Sequence, residues 1–144
     1  MNTVLIFAWV YLAMIAMSFW EAAVEGSNAW DKGKNGWKIK FGKYCFTSYH
    51  FFIFFIMWPL MLTLPLVING WDVKLFGVLA SAYFSGIALE DIMWFAVNPK
   101  VELSDFNPKF ANYYPWIKIG KISIPLMHTI GIALSILCWY FIWR

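Results

Sequence analysis

Six side chains able to exchange protons or bind a metal sit on stretches too apolar to carry them cheaply. Glu21, Glu25, His50, Glu90, Asp91 and His128 come from four separate hydrophobic segments. An ionised group inside a bilayer is costly and faces a partner or a water-filled cavity. Tracing the chain back and forth through four crossings brings all six to one end, together with every other carboxylate except Asp72. At 1.5 Å per residue, His50 lies about 6 Å inside the start of its segment, His128 about 8 Å and Glu90 about 10–12 Å. Glu21 and Glu25 share a helix face at i, i+4 spacing. Glu90 shares a face with Tyr83, Ile87 and Trp94, whereas Asp91 is rotated by about 100° and aims elsewhere.

Three kinds of chemistry fit these residue types. Carboxylates and imidazoles from separate bundle helices are the ingredients of a metal centre, with Glu21, Glu25, His50, Glu90 and His128 as ligands. Such a set suits a divalent transition metal (Zn, Fe or Mn), although no His-x-x-x-His or Glu-x-x-His spacing is present. Metal-free acid–base work is the second reading, with Glu90 or Asp91 as the catalytic group and a histidine as partner. Trp94 and Tyr83 would then line the substrate pocket, Trp94 offering a π face to a cation. The third is structural, the carboxylates pairing with histidines or lysines to hold the bundle together. A bis-histidine haem through His50 and His128 is a further option that the surrounding carboxylates disfavour.

The elements that must position these groups follow from composition. The 144 residues are 62% hydrophobic, 22% aromatic and 13% charged, with mean hydropathy +0.63. A soluble domain of this size cannot hide so much apolar surface. The expected fold is all-α, a single-domain integral membrane four-helix bundle spanning 1–144. Crossing the hydrocarbon takes about 20 apolar residues, and four spans fit, at about 3–20, 46–68, 73–97 and 123–143. The first follows Met1 with no basic n-region and reads as a span, helical as far as Glu25, rather than as a removed leader. Pro59 and Pro65 are expected to kink the second. Asn69-Gly70-Trp71-Asp72 reads as a tight turn. The third stops at Asn98-Pro99. Ser123 is expected to cap the fourth, with Pro125 in its first turn. Gly77, Ser81 and Ser85 make a row of small residues on the third span, and Gly131 and Ser135 another on the fourth, as closely packed membrane helices require.

The remaining segments, 26–45 and 98–122, are loops. They hold Lys32, Lys34, Lys38, Lys40, Lys43, Lys100, Lys109, Lys118 and Lys121, against Lys74 and Arg144 at the other end. This asymmetry places both loops in the cytoplasm and both termini outside the cell membrane. The lysine face suits anionic lipid or a phosphate-bearing ligand rather than nucleic acid. Trp37-Lys38-Ile39-Lys40-Phe41 alternates apolar and basic residues, as a short extended segment on the membrane surface would. Tyr113-Tyr114-Pro115-Trp116 has the character of an interfacial lid. Trp20, Trp30, Trp37 and Trp116 form one aromatic belt, and Trp71, Trp139 and Trp143 the other.

Glu90-Asp91-Ile92-Met93-Trp94-Phe95-Ala96-Val97-Asn98-Pro99 resembles the Glu-Asp-x-x-Trp-Phe-x-x-Asn-Pro motif of small, uncharacterised multi-span proteins of prokaryotes. Glu25-Gly26 followed by Ala29-Trp30 is similar to a second block of that group. The resemblance implies a multi-span prokaryotic membrane protein and no particular activity. Sterol isomerases of the emopamil-binding type also place His, Glu and Trp in a membrane cavity, but do not match residue by residue. The residues thus point to a buried carboxylate/histidine site near the cytoplasmic face, binding metal and acting on a lipid or other membrane-embedded substrate. The alternative is a non-catalytic subunit of a larger membrane complex. The orientation is testable: cysteines at positions 35 and 70 are expected to label from inside and outside respectively in intact cells, and labelling of position 35 from outside reverses the topology.

Overall fold

The computed structural model describes residues 1–28, 36–41, 44–112 and 115–144. Four helices are long and apolar enough to cross a membrane: α1 (Thr3–Glu25), α2 (Ser48–Asn69), α3 (Val73–Val97) and α4 (Leu126–Trp143). Their ends are marked by local chemistry. The Asn2 and Asp72 side chains accept hydrogen bonds from the Leu5 and Leu75 backbone N–H groups, capping α1 and α3. The first helix ends at Gly26, whose φ of 63° a side chain would resist. The third ends where Asn98 turns to extended geometry ahead of Pro99.

Helix α3 is the axis. It buries ten of its 25 residues, among them Gly77, Ser81, Gly86 and Glu90. On one side, Tyr11 of α1 meets Ser85 at 2.8 Å, and a side chain on Gly86 would press on Met14. On the other, Ser81 and Ser135 exchange reciprocal hydrogen bonds, each hydroxyl donating to the other's carbonyl at 2.9 and 2.8 Å. Trp143 Nε1 donates to the Ser81 hydroxyl. Gly77 and Ser81 of the α3 row therefore face α4, whereas Ser85 turns to α1. Helices α1 and α3 run parallel and α4 antiparallel to them, so the ends of α1 and α3 at Gly26 and Asn98 lie at one end of the bundle and both termini at the other.

Helix α2 is irregular for a stated reason. Phe51–Met57 forms a π-helical stretch. There the Trp58 N–H bonds the Ile53 carbonyl, and Pro59 has no N–H to offer. The Phe54 carbonyl accepts instead from the Tyr83 hydroxyl of α3. Tyr83 thus serves a backbone group that the proline leaves bare, the usual remedy for proline in a membrane helix.

The chain is not purely helical. Two antiparallel hairpins stand at the loop end: β1 (Lys38–Phe41) with β2 (Tyr44–Thr47), and β3 (Trp116–Ile119) with β4 (Ile122–Pro125). Here period-two alternation of β-branched and aromatic residues prevails over helix continuation. Ser123, expected to cap the fourth span, lies in β4 opposite Lys118. The helix starts three residues later, at Leu126, after Pro125. Similarly α2 begins at Ser48 rather than 46, because Cys45 and Phe46 pair with Lys40 and Ile39 in the first hairpin. The Trp30 and Ala29 positions, and the Tyr113-Tyr114 part of the expected lid, lie outside the described residues.

The α3–α4 contact is sensitive to one methyl group. A Cβ on Gly131 would stand 2.8 Å from the Phe84 carbonyl oxygen, which is backbone and cannot step aside. Gly131→Ala is expected to destabilise the protein in detergent by about 1–3 kcal/mol. An unchanged melting temperature would mean that the helices are further apart than described.

Candidate functional site

The loop end of the bundle gathers the six expected residues, but as two groups. Within the first, Glu21 and Glu90 are 4% and 0% exposed. Their carboxyl groups are near neighbours across the α1–α3 contact. The Tyr49 hydroxyl of α2 donates to Glu21 Oε1 at 2.9 Å. Among the described residues, neither oxygen of Glu90 receives a hydrogen bond from an N–H or O–H, and the buried Trp94 Nε1, one turn further along α3, has no acceptor. Orphaned polar atoms are uncommon in a folded interior, and each calls for an explanation.

One turn beyond Glu21, Glu25 faces His50, with Oε1 3.7 Å from Nε2 and both side chains 4% exposed. Thr47 Oγ1 lies 2.7 Å from His50 Nδ1. With the hydroxyl donating, Nε2 carries the ring proton and points it at Glu25. Thr47 also accepts from the His50 backbone N–H, so one side chain caps α2 and orients its imidazole. The ring packs edge-on against Tyr49 and stacks on Phe54. The first group is therefore continuous, from Glu90 through Glu21 to Tyr49, with His50 and Glu25 alongside.

The second group is a pair. His128 Nε2 lies 2.5 Å from Asp91 Oδ2, and the imidazole stacks on Phe106 at 5.5 Å. Asp91 is 31% exposed at its side chain, in keeping with its rotation away from Glu90. Glu90 thus reaches α1 and Asp91 reaches α4, and neighbouring residues divide between the two groups. Among the described residues, no three His, Cys, Asp or Glu side chains converge as a metal-ion ligand set. The acidic and imidazole groups instead come in twos: Glu21 with Glu90, Glu25 with His50, Asp91 with His128.

The segment after α3 locks this arrangement. Asn98 Nδ2 donates to the Gly26 carbonyl at 2.6 Å, tying the end of α3 to the end of α1. The Asn98 carboxamide oxygen accepts from the Lys100 N–H, and the Lys100 side chain lies over Gly26. Trp94 and Phe95 pack with Ala22 and Ala111, with Phe106, Phe110 and Trp116 against them. Each distinctive residue from Glu90 to Asn98 therefore has a contact in the site or in its support. Sequence reasoning missed Tyr49 and Thr47. Their signal was position: both flank His50 at the mouth of its helix, where a hydroxyl reaches backbone and side chain together.

Comparison of the chain with protein families, curated proteins and solved structures finds no match. Its function is therefore argued from geometry.

The role of Thr47 can be measured. Thr47→Val removes both the helix cap and the partner of His50 Nδ1, and is expected to cost about 1–2 kcal/mol in a detergent unfolding titration. Wild-type stability in this variant would show that the hydroxyl orients nothing.

Proposed function

We propose that this is a four-span membrane protein with a buried proton-exchanging site at its cytoplasmic end, used for acid–base chemistry on a lipid or other membrane-embedded substrate. The observation that carries the reading is Glu90: fully buried, without a donor among the described residues, and beside a second carboxyl group. Two carboxylates cannot both hold charge at close range in a water-poor site, so a proton or a cation must sit between them. Glu90 is the central acid–base group. Glu21 shares its proton, and Tyr49 fixes Glu21 through the hydroxyl. His50 and Glu25 stand one turn nearer the loop end, where they can pass protons to and from that surface.

An apolar groove supports a membrane-embedded substrate. It has a volume of about 760 Å³ and lies between α1, α2 and α3, with Trp9, Val10, Met61, Leu62 and Leu79 in its walls. Trp58, also in the wall, donates from Nε1 to Met17 Sδ, and Met17 is one turn from Glu21. The lining of the groove ends at Ala13 on α1 and Leu79 on α3, about two and three turns short of Glu21 and Glu90. The lysine-rich loops support the cytoplasmic assignment of that end through the positive-inside bias.

Glu90→Gln tests the site. The amide can donate an N–H to Glu21 in place of the shared proton, so the fold should persist with equal or higher thermal stability. In infrared spectra of the purified protein, the band of a protonated carboxyl group should be present in wild type and lost in Glu90→Gln. A lower melting point with no carboxyl band lost would make the pair a structural prop. One equivalent of transition metal bound to wild type and released by Glu90→Gln would place a metal ion where the proton is proposed.

A further inference from the structure

The two hairpins share a construction that the acid–base site does not need. In each, the second strand runs straight into a helix, β2 into α2 and β4 into α4. In each, the first backbone N–H of that helix bonds a carbonyl just before the first strand: Ser48 to Trp37 and Leu126 to Pro115, both at 2.9 Å. The ladder thus continues onto the helix, and the hairpin is a rigid extension of it rather than a loose loop.

Both hairpins are two-faced. In the second, Ile117 pairs with Ile124 and Ile119 with Ile122, so four isoleucines share one face. Ile119 and Ile122 are 62% and 66% exposed. The opposite face packs on the loop, through Trp116 against Phe106 and the Trp116 Nε1 hydrogen bond to the Ala111 carbonyl. Lys118 lies on that opposite face and Lys121 in the turn, both exposed. In the first hairpin, Ile39 and Phe46 share a face opposite Lys38 and Lys40. Phe46 packs against Phe51 and Phe55, and Phe55 is itself exposed on the flank of α2. The apolar face of the hairpin is therefore continuous with the outer surface of a membrane-crossing helix.

We propose that the hairpins are a matched pair of interfacial anchors, whose apolar faces enter the acyl boundary and whose lysines bind anionic phospholipid headgroups. Two observations select this occupant. The apolar face of the first hairpin continues the outer flank of α2, that of the second is exposed at the same end of the bundle, and Lys38, Lys40, Lys118 and Lys121 complement phosphate at the depth where headgroups lie. β-Branched and aromatic residues alternating with lysine suit that boundary. Water alone would leave the isoleucines exposed at a cost, roughly 25 cal/mol per Å².

The proposal rests on the membrane reading above, and its test separates the two. Single cysteines at Leu60→Cys, on the exposed flank of α2, and at Ile122→Cys are labelled with an environment-sensitive fluorophore in a Cys45→Ala, Cys138→Ala chain. The full chain is reconstituted into phosphatidylcholine vesicles with and without phosphatidylglycerol. Nitroxide-bearing lipid should quench both positions, and aqueous iodide neither. If position 60 escapes the lipid quencher, the membrane reading itself fails. If position 60 is quenched by lipid but 122 by iodide, the hairpin projects into water and the anchor is overturned. Shielding of 122 from both quenchers would mean that protein, such as a second copy, covers the isoleucine face, which also overturns it. Phosphatidylglycerol should raise the melting temperature of wild type, and the Lys38→Gln, Lys40→Gln, Lys118→Gln, Lys121→Gln variant should lose most of that rise. An undiminished rise would refute the headgroup contact.

Discussion

Everything in this bundle depends on how closely α3 approaches its neighbours. The outer surface of the helices is itself largely apolar, so burial of apolar side chains does not by itself decide which faces meet. What holds such helices is dispersion at short range and hydrogen bonds between polar side chains. Helix α3 provides both. Gly77, Gly86 and Ala82 let neighbouring side chains sit against its backbone, and Ser81 and Ser85 make bonds across to α4 and α1. The same nearness brings Glu90 within reach of Glu21. A wider spacing would leave room for water or lipid between the carboxyl groups, and their chemistry would be that of two separate acids.

The burial of Glu90 gains its meaning from that packing. A carboxyl group at the edge of a bundle can turn toward headgroups, as long side chains near helix ends do. Glu90 cannot, because Asn98 clasps the end of α3 to Gly26 above it and the Trp94 and Phe95 layer covers the way out. Its neighbour Asp91 has the opposite circumstance: partly open, and already paired with His128. One helix thus carries two adjacent acids in different surroundings, and residues sharing a motif come to differ in what they can do.

Much of this was legible in the sequence, for identifiable reasons. Helices written in long apolar runs between capping and breaking residues announce themselves, as Asp72 and Asn98-Pro99 do for α3. The small-residue rows marked sides of α3 and α4 where other helices come close, and Ser81 with Ser135 is one such contact. The gathering of acids and histidines at one end followed from counting crossings. Two things were hidden. Depth along a helix says nothing about partners, so His128 was expected beside Glu90, with Asp91 aimed elsewhere, whereas the structure pairs His128 with Asp91. The hairpins were hidden because Ile122-Ser123-Ile124-Pro125 is apolar enough to pass for the start of a span. Only its pairing with Trp116–Ile119 across the Gly120 turn makes it a strand.

The π-helical stretch Phe51–Met57 has a consequence for how this protein tolerates change in length. Its wider turns hold one residue more than an α-helix of the same rise would, and such bulges occur often at functional sites. Deleting a single residue there would restore regular winding and improve the helix by every local measure. The flanks would stay nearly in phase, because roughly six residues of α-helix turn through almost the same angle as the seven of the wider winding. A deletion in the regular part of α2, Trp58–Asn69, has no such slack. It would rotate the two ends of the helix against each other by about 100°, carrying Tyr49 off Glu21 and His50 off Glu25 or the far end off its own neighbours. Losses that look harmless by hydropathy would therefore empty the site or unseat the helix except within Phe51–Met57, where the spare residue can be given up.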